Sequence, residues 1–120
     1  MTTALEVKVD VLDGTATLLL AGDVDREGGA ALDRAYSEAA AAGAVSLILD
    51  FAAVPYINST GIALIVGLLG RARAAAVPVT ARGLTDHYRE IFEITRLADF
   101  MAINPDEDSA VRGAEGSRDA

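Results

Sequence analysis

Two neighbouring stretches decide the fold: Val45-Ser-Leu-Ile-Leu-Asp-Phe51 and, just beyond Pro55, Tyr56-Ile-Asn-Ser-Thr-Gly-Ile-Ala-Leu-Ile-Val-Gly-Leu-Leu-Gly-Arg71. The first is apolar at almost every position, the pattern of a strand covered on both faces, as central strands of α/β sheets are. In the second, small polar residues lead into an apolar run that predicts a helix from about Thr60 to Ala76. Arg71 and Arg73 fall near its negative C-terminal end, and Pro78 helps to stop it. A buried strand, a polar turn and an apolar helix make one β-α unit.

Upstream, Leu5, Val7, Val9 and Val11 alternate with Glu6, Lys8, Asp10 and Leu12, and Asp13-Gly14 separates them from a second run, Thr15 to Ala21. Asp-Gly tolerates the positive φ angles of a tight primed turn, so the two runs predict a β-hairpin. After Gly22, Asp25 is a candidate N-cap for a helix carrying Leu32, Ala35, Tyr36, Ala39 and Ala40 at helical spacing, with Gly43 as its stop. Downstream, Val77 to Ala81 predicts a short strand, Thr85 caps a helix through Ile94, and Asp99 to Ile103 predicts a last strand. The small, polar residues from Gly113 to Ala120 predict a disordered tail. The expected fold is therefore a single α/β domain over residues 4–112, with a mixed, mostly parallel sheet of about five strands: an opening hairpin, then βαβ units with helices packed on the sheet. Such crossovers make parallel neighbours. They also bring Gly22-Asp-Val-Asp25 and Tyr56-Ile-Asn-Ser-Thr60 to one rim of the sheet, the rim where open α/β sheets place their sites.

Composition narrows the chemistry. A chain of 120 residues with 52% hydrophobic and 23% charged residues fits one globular core. The net charge of -8, with ten basic residues scattered among eighteen acidic ones, disfavours a nucleic-acid partner, which needs a basic stripe. Cysteine is absent and His87 is the sole imidazole, which argues against thiol chemistry and a zinc enzyme. Met1-Thr2-Thr3-Ala4 shows neither a basic leader nor an apolar signal core, an expectation of cytoplasmic location without membrane insertion. The apolar run from Gly61 to Gly70 is well short of the ~20 residues that span a bilayer.

The polar turn admits several readings. Ser59 or Thr60 suits an N-cap. A nucleophilic serine lacks the G-x-S-x-G elbow and would have only His87 as its imidazole base. Gly61, Gly67 and Gly70 do not have the spacing of a nucleotide loop, and the only lysine is Lys8. Asp23 and Asp25 read as cap and dipole groups before a helix. A third reading makes the serine a phosphate acceptor, because a helix N-terminus tolerates an anion that changes what a partner meets.

At this point Gly22-Asp-Val-Asp25, Leu47-Ile-Leu-Asp-Phe51, Val54-Pro-Tyr-Ile-Asn-Ser-Thr-Gly61 and Ile91-Phe-Glu-Ile-Thr-Arg-Leu97 together resemble the successive motifs of the STAS family, in particular the bacterial anti-sigma-factor antagonists. The likeness runs from about Leu5 to Ile103, and its most specific part is the D-S-[ST]-G turn before an apolar helix. The resemblance implies a binding module rather than an enzyme, without a cofactor or metal. When unphosphorylated, such a module holds an anti-sigma factor that is also a GHKL-type serine kinase. Phosphorylation of the serine ends binding, and a metal-dependent, PP2C-type phosphatase restores it. By motif position the phosphoacceptor is Ser59, and the partner surface is expected to comprise Asp23, Asp25, Asn58, Thr60, Gly61, Ile62, Leu64 and Ile65. Asn58 stands where the family usually has aspartate, and Asp23 where it often has glutamate. Stand-alone members also serve as non-switching subunits of lipid-transport ABC complexes or as stressosome-type scaffolds, the alternative expectation.

Overall fold

A computed structural model describes residues 4–97 and 101–103 of the chain. The tail from Gly113, and the expected strand residues Asp99 and Phe100, lie outside the described residues. The elements are β1 (Glu6–Leu12), β2 (Thr15–Ala21), a 3-10 turn (Arg26–Gly28), α1 (Gly29–Ala41), β3 (Ser46–Ala53), α2 (Ser59–Ala74), β4 (Val79–Arg82), α3 (Asp86–Ile94) and β5 (Ala102–Ile103). They build one five-stranded sheet in the order β1-β2-β3-β4-β5. The β1–β2 pair is antiparallel and each later pair is parallel, as the sequence predicts. Asp13 and Gly14 both take positive φ, 53° and 81°, so the hairpin closes on a primed turn whose twist matches its strands.

Because the parallel strands add in chain order, every crossover moves the same way across the sheet. Right-handed crossovers then stack all three helices on one face. The core shows this. Ala16, Leu18 and Leu20 of β2, Leu47, Leu49 and Phe51 of β3, and Val79 and Ala81 of β4 are buried together with Leu32 and Ala35 of α1, Ile65 and Leu68 of α2, and Phe92 of α3. Phe92 meets Phe51 edge to face, ring centroids 5.7 Å apart. The expectation that β3 is covered on both faces is thus corrected. Its other side chains, Ser46 and Ile48, are half-buried and Ala52 is exposed. Asp50 on that face is nonetheless 6% exposed. Arg82 Nε donates to its Oδ2 at 3.1 Å, and its Oδ1 accepts the Ala52 N–H at 2.9 Å. A paired, hydrogen-bonded carboxylate tolerates such a position, where a lone one does not.

The helix ends explain where element boundaries depart from expectation. Gly43, φ 80°, ends α1: the Ala44 N–H reaches the Ala39 carbonyl and the Gly43 N–H the Ala40 carbonyl, a Schellman closure at the predicted stop. At α2 the same pair of bonds runs from Val77 to Ala72 and from Ala76 to Arg73. This closure consumes Val77, so β4 starts at Val79 rather than Val77. Its left-handed residue is Ala76, φ 59°, where the Cβ crowds the following carbonyl. Ala76→Gly relieves that strain, and the expected gain in unfolding free energy is about 1 kcal/mol, read as a higher urea midpoint at unchanged slope; a loss of stability contradicts this account of the helix end.

Candidate functional site

The two turns predicted to be neighbours are joined through their backbones. Val24 and Ile57 form an isolated parallel bridge. The Val24 N–H donates to the Tyr56 carbonyl at 2.9 Å, the Asn58 N–H donates to the Val24 carbonyl at 3.2 Å, and the Gly22 N–H donates to the Ala53 carbonyl at 3.0 Å. Behind the bridge the buried Ile57 N–H donates to the Tyr88 hydroxyl at 3.0 Å, so α3 also holds the turn. Gly61, in the first turn of α2, lies so close that a Cβ would overlap the Val24 carbonyl oxygen. Only glycine permits this approach.

Asn58 is the N-cap of α2: its Oδ1 accepts the Gly61 N–H at 2.8 Å while its own carbonyl accepts from Ile62 at 2.9 Å. This corrects the expectation that Ser59 or Thr60 caps the helix. Asn58 is extended, with φ -98° and ψ -178°, as a cap must be, whereas Ser59 already belongs to the first turn. Both hydroxyl residues are exposed. Asp25 caps the 3-10 turn, accepting the Glu27 N–H at 3.1 Å, and not α1, which starts after Gly28 without a side-chain cap. Asp25, Arg26, Glu27, Asn58 and Thr60 together line an open cleft of about 360 Å³. Two acidic residues and one arginine therefore share this cleft with the N-terminal, positive end of α2. Asp23 is half-buried beside the bridge.

The structure divides the expected partner surface. Ile65, 1% exposed, belongs to the core, and Gly61 is buried against Val24, so neither offers a surface. Ile62 and Leu64 are half-buried, and Val66, 49% exposed, is the open apolar side chain further along α2. A helix of period 3.6 turns Ile65, Leu68 and Leu69 to the sheet and leaves these three at its flank and outer face. His87 is exposed and packs against the Tyr88 ring at 4.9 Å between centroids. Sequence reasoning passed over Arg26 and Glu27, although their place beside Asp25 was a usable signal. Tyr88 carried none, because its contact with Ile57 spans 31 residues of chain. Among the described residues no group of His, Cys, Asp and Glu could hold a metal ion, and no helix is long and apolar enough to cross a membrane.

A one-sided α/β sheet with two turns fused at its rim defines the class, and comparison with known proteins gives the family. The family model described as "Mlab, STAS domain" matches residues 7–103, and the chain belongs to the STAS family. No protein of curated function matches it by sequence. Among solved structures it is similar to an anti-sigma factor antagonist from Mycobacterium paratuberculosis (21% identity, 97% of this chain and 100% of that one, TM-score 0.71). It is also similar to the Bacillus cell fate determinant SpoIIAA in its phosphorylated form (22%, 91% and 98%, TM-score 0.65). A sulfate transporter family protein from Wolinella succinogenes superposes as well (15%, 88% and 88%, TM-score 0.72). At these identities the likeness is one of fold.

Two substitutions test the geometry. Gly61→Ala in an ordinary helix adds stability, but here the clash with Val24 reverses the sign, with an expected loss of about 1–3 kcal/mol in urea unfolding; a gain shows that the turns can part freely. Asn58→Ala removes the cap and costs about 1 kcal/mol, while Asn58→Asp keeps it and adds about 0.3–1 kcal/mol through the helix dipole. Equal stability of the Ala and Asp variants contradicts the capping role.

Proposed function

We propose that this STAS domain is an anti-sigma-factor antagonist: a protein-binding switch that holds an anti-sigma factor/serine kinase when unphosphorylated and lets go when Ser59 is phosphorylated. The observation that carries this reading is the division of labour at the start of α2. Asn58 supplies the cap, so the exposed Ser59 hydroxyl is not engaged in holding the helix. A phosphate there meets the positive helix end and is tolerated by the fold. It adds about -1.5 to -2 charge between Asn58 and Thr60, which line the same cleft as Asp25 and Glu27, and that changes what a partner meets at the rim. The partner surface in this reading is the rim of Asp23, Asp25, Asn58 and Thr60 with the half-buried Ile62 and Leu64. The partners are a GHKL-type kinase and a PP2C-type phosphatase, the setting is the cytoplasm, the domain extends over residues 4–112, and the chain itself performs no catalysis.

A second reading, a non-switching subunit of a lipid-transport ABC complex, takes its support from the amide at Asn58. A carboxylate beside the acceptor can assist the magnesium and phosphates of ATP through charge, whereas an amide offers a neutral acceptor only.

Incubation with the cognate kinase and Mg-ATP, followed by peptide mapping, separates the two. Label is expected on Ser59 and is lost in Ser59→Ala. Asn58→Asp is expected to raise the single-turnover rate while changing unphosphorylated affinity modestly. Phosphorylated protein should bind the kinase at least about ten-fold more weakly, equivalent to ~1.4 kcal/mol. Label retained in Ser59→Ala moves the modification to another hydroxyl, and absence of label on every variant favours the non-switching subunit.

A further inference from the structure

The unpartnered edge of the sheet carries its own complement. Among the described residues β1 has a neighbour on one side only, β2, and its outer backbone edge is open for seven residues. Such an edge invites another strand. Its core-side residues are incompletely covered: Val7 and Val9 are half-buried and Val11 is 38% exposed. On the opposite face Glu6, Lys8, Asp10 and Leu12 are all exposed, Leu12 at 72%.

The pattern Glu6-Val-Lys-Val-Asp-Val-Leu12 selects one way of meeting itself. Antiparallel pairing across a two-fold axis must keep valines on the helix-bearing face and charges on the other, because side chains alternate with period two. An axis through Lys8 sets Lys8 on Lys8 and Glu6 on Asp10, which repels. An axis through Asp10 sets Asp10 on Asp10. An axis through Val7 matches Glu6 with Lys8 but engages only the start of the strand, and one through Val11 matches no charges. With the axis through Val9 the whole strand pairs: Lys8 of each copy faces Asp10 of the other, Val7 faces Val11, and the stem of Glu6 lies over Leu12. α1 lies over this edge. α1 contacts α2 through Asp33 and Tyr36, both held by Arg71. Its far side, at 100° per residue, carries the small Ala31 with the oppositely charged Arg34 and Glu38.

We propose that β1 is a homodimer interface, pairing antiparallel with β1 of a second copy about an axis at Val9 to give a continuous ten-stranded sheet. The axis reverses strand direction, so the two rim clefts open toward opposite ends of the dimer and both stay accessible. The proposal does not depend on the function assigned to that cleft.

Sedimentation equilibrium of the full chain up to roughly 1 mM tests it, with charge reversals at exposed positions that leave the core untouched. Wild type is expected to dimerise. Lys8→Asp and Asp10→Lys each replace two attractions by two repulsions and should weaken dimerisation about ten-fold, while the Lys8→Asp/Asp10→Lys double variant restores it to within about three-fold of wild type. In a chain otherwise without cysteine, Val9→Cys should oxidise to a covalent dimer and Thr17→Cys on the interior strand should not. A monomeric wild type, single variants as tight as wild type, or a double variant that fails to recover each overturns the proposal; the first leaves the edge to a strand from another protein.

Discussion

The Val24–Ile57 bridge is the constraint on which the site depends. Two loops leaving parallel strands ordinarily move apart as the helices they feed diverge. Here one carbonyl, that of Val24, accepts from Asn58, and the absence of a Cβ on Gly61 lets the first turn of α2 rest against it. Backbone hydrogen bonds in a buried rim are stiff, because breaking one leaves polar groups without water. The Asp25 turn and the Asn58 cap are therefore held in fixed relation, and the cleft between them is a property of the backbone more than of any side-chain pair. Tyr88 extends the same control to α3, through its hydroxyl on the Ile57 N–H.

All the crossovers run in one direction, and this fixes what the protein shows to others. Placing every helix on one face concentrates the core there and leaves the other face of the sheet to polar side chains, to Leu19 and Ile48, and to the Asp50–Arg82 pair. It also makes β1 a true edge, since nothing after the hairpin returns to that side among the described residues. The rim cleft with the adjoining flank of α2, and the β1 edge, are thus two separate surfaces on a small domain, able to be engaged without competing for the same atoms. A charge added at the rim alters one surface and leaves the other as it was.

Much of the architecture was legible in the sequence because it rests on local physics. The Asp13-Gly14 turn, the stop at Gly43, the Thr85 cap and the alternation of strand and helix periods each depend on residues a few positions apart, and each is found where the pattern set it. The neighbourhood of Gly22–Asp25 and Tyr56–Thr60 was also legible, through topology alone. The cap of α2 was misread because Asn, Ser and Thr are all competent caps. Which of three adjacent residues takes that role depends on where the chain turns from extended to helical, and the Val24 bridge sets that point.

What the sequence by itself determined is the order of elements, the mostly parallel sheet and the identity of the rim that carries Ser59. These follow from periodicity and turn chemistry, which are encoded within short windows. Only the tertiary structure decided that Gly61 and Ile65 are packing residues and not surface, that Arg26 and Glu27 line the cleft, and that Tyr88 secures Ile57. It also decided that the apolar run of β3 is covered on one face. Each of these is a contact between segments far apart in the chain, and an apolar or small residue carries no local mark of which distant neighbour will bury it.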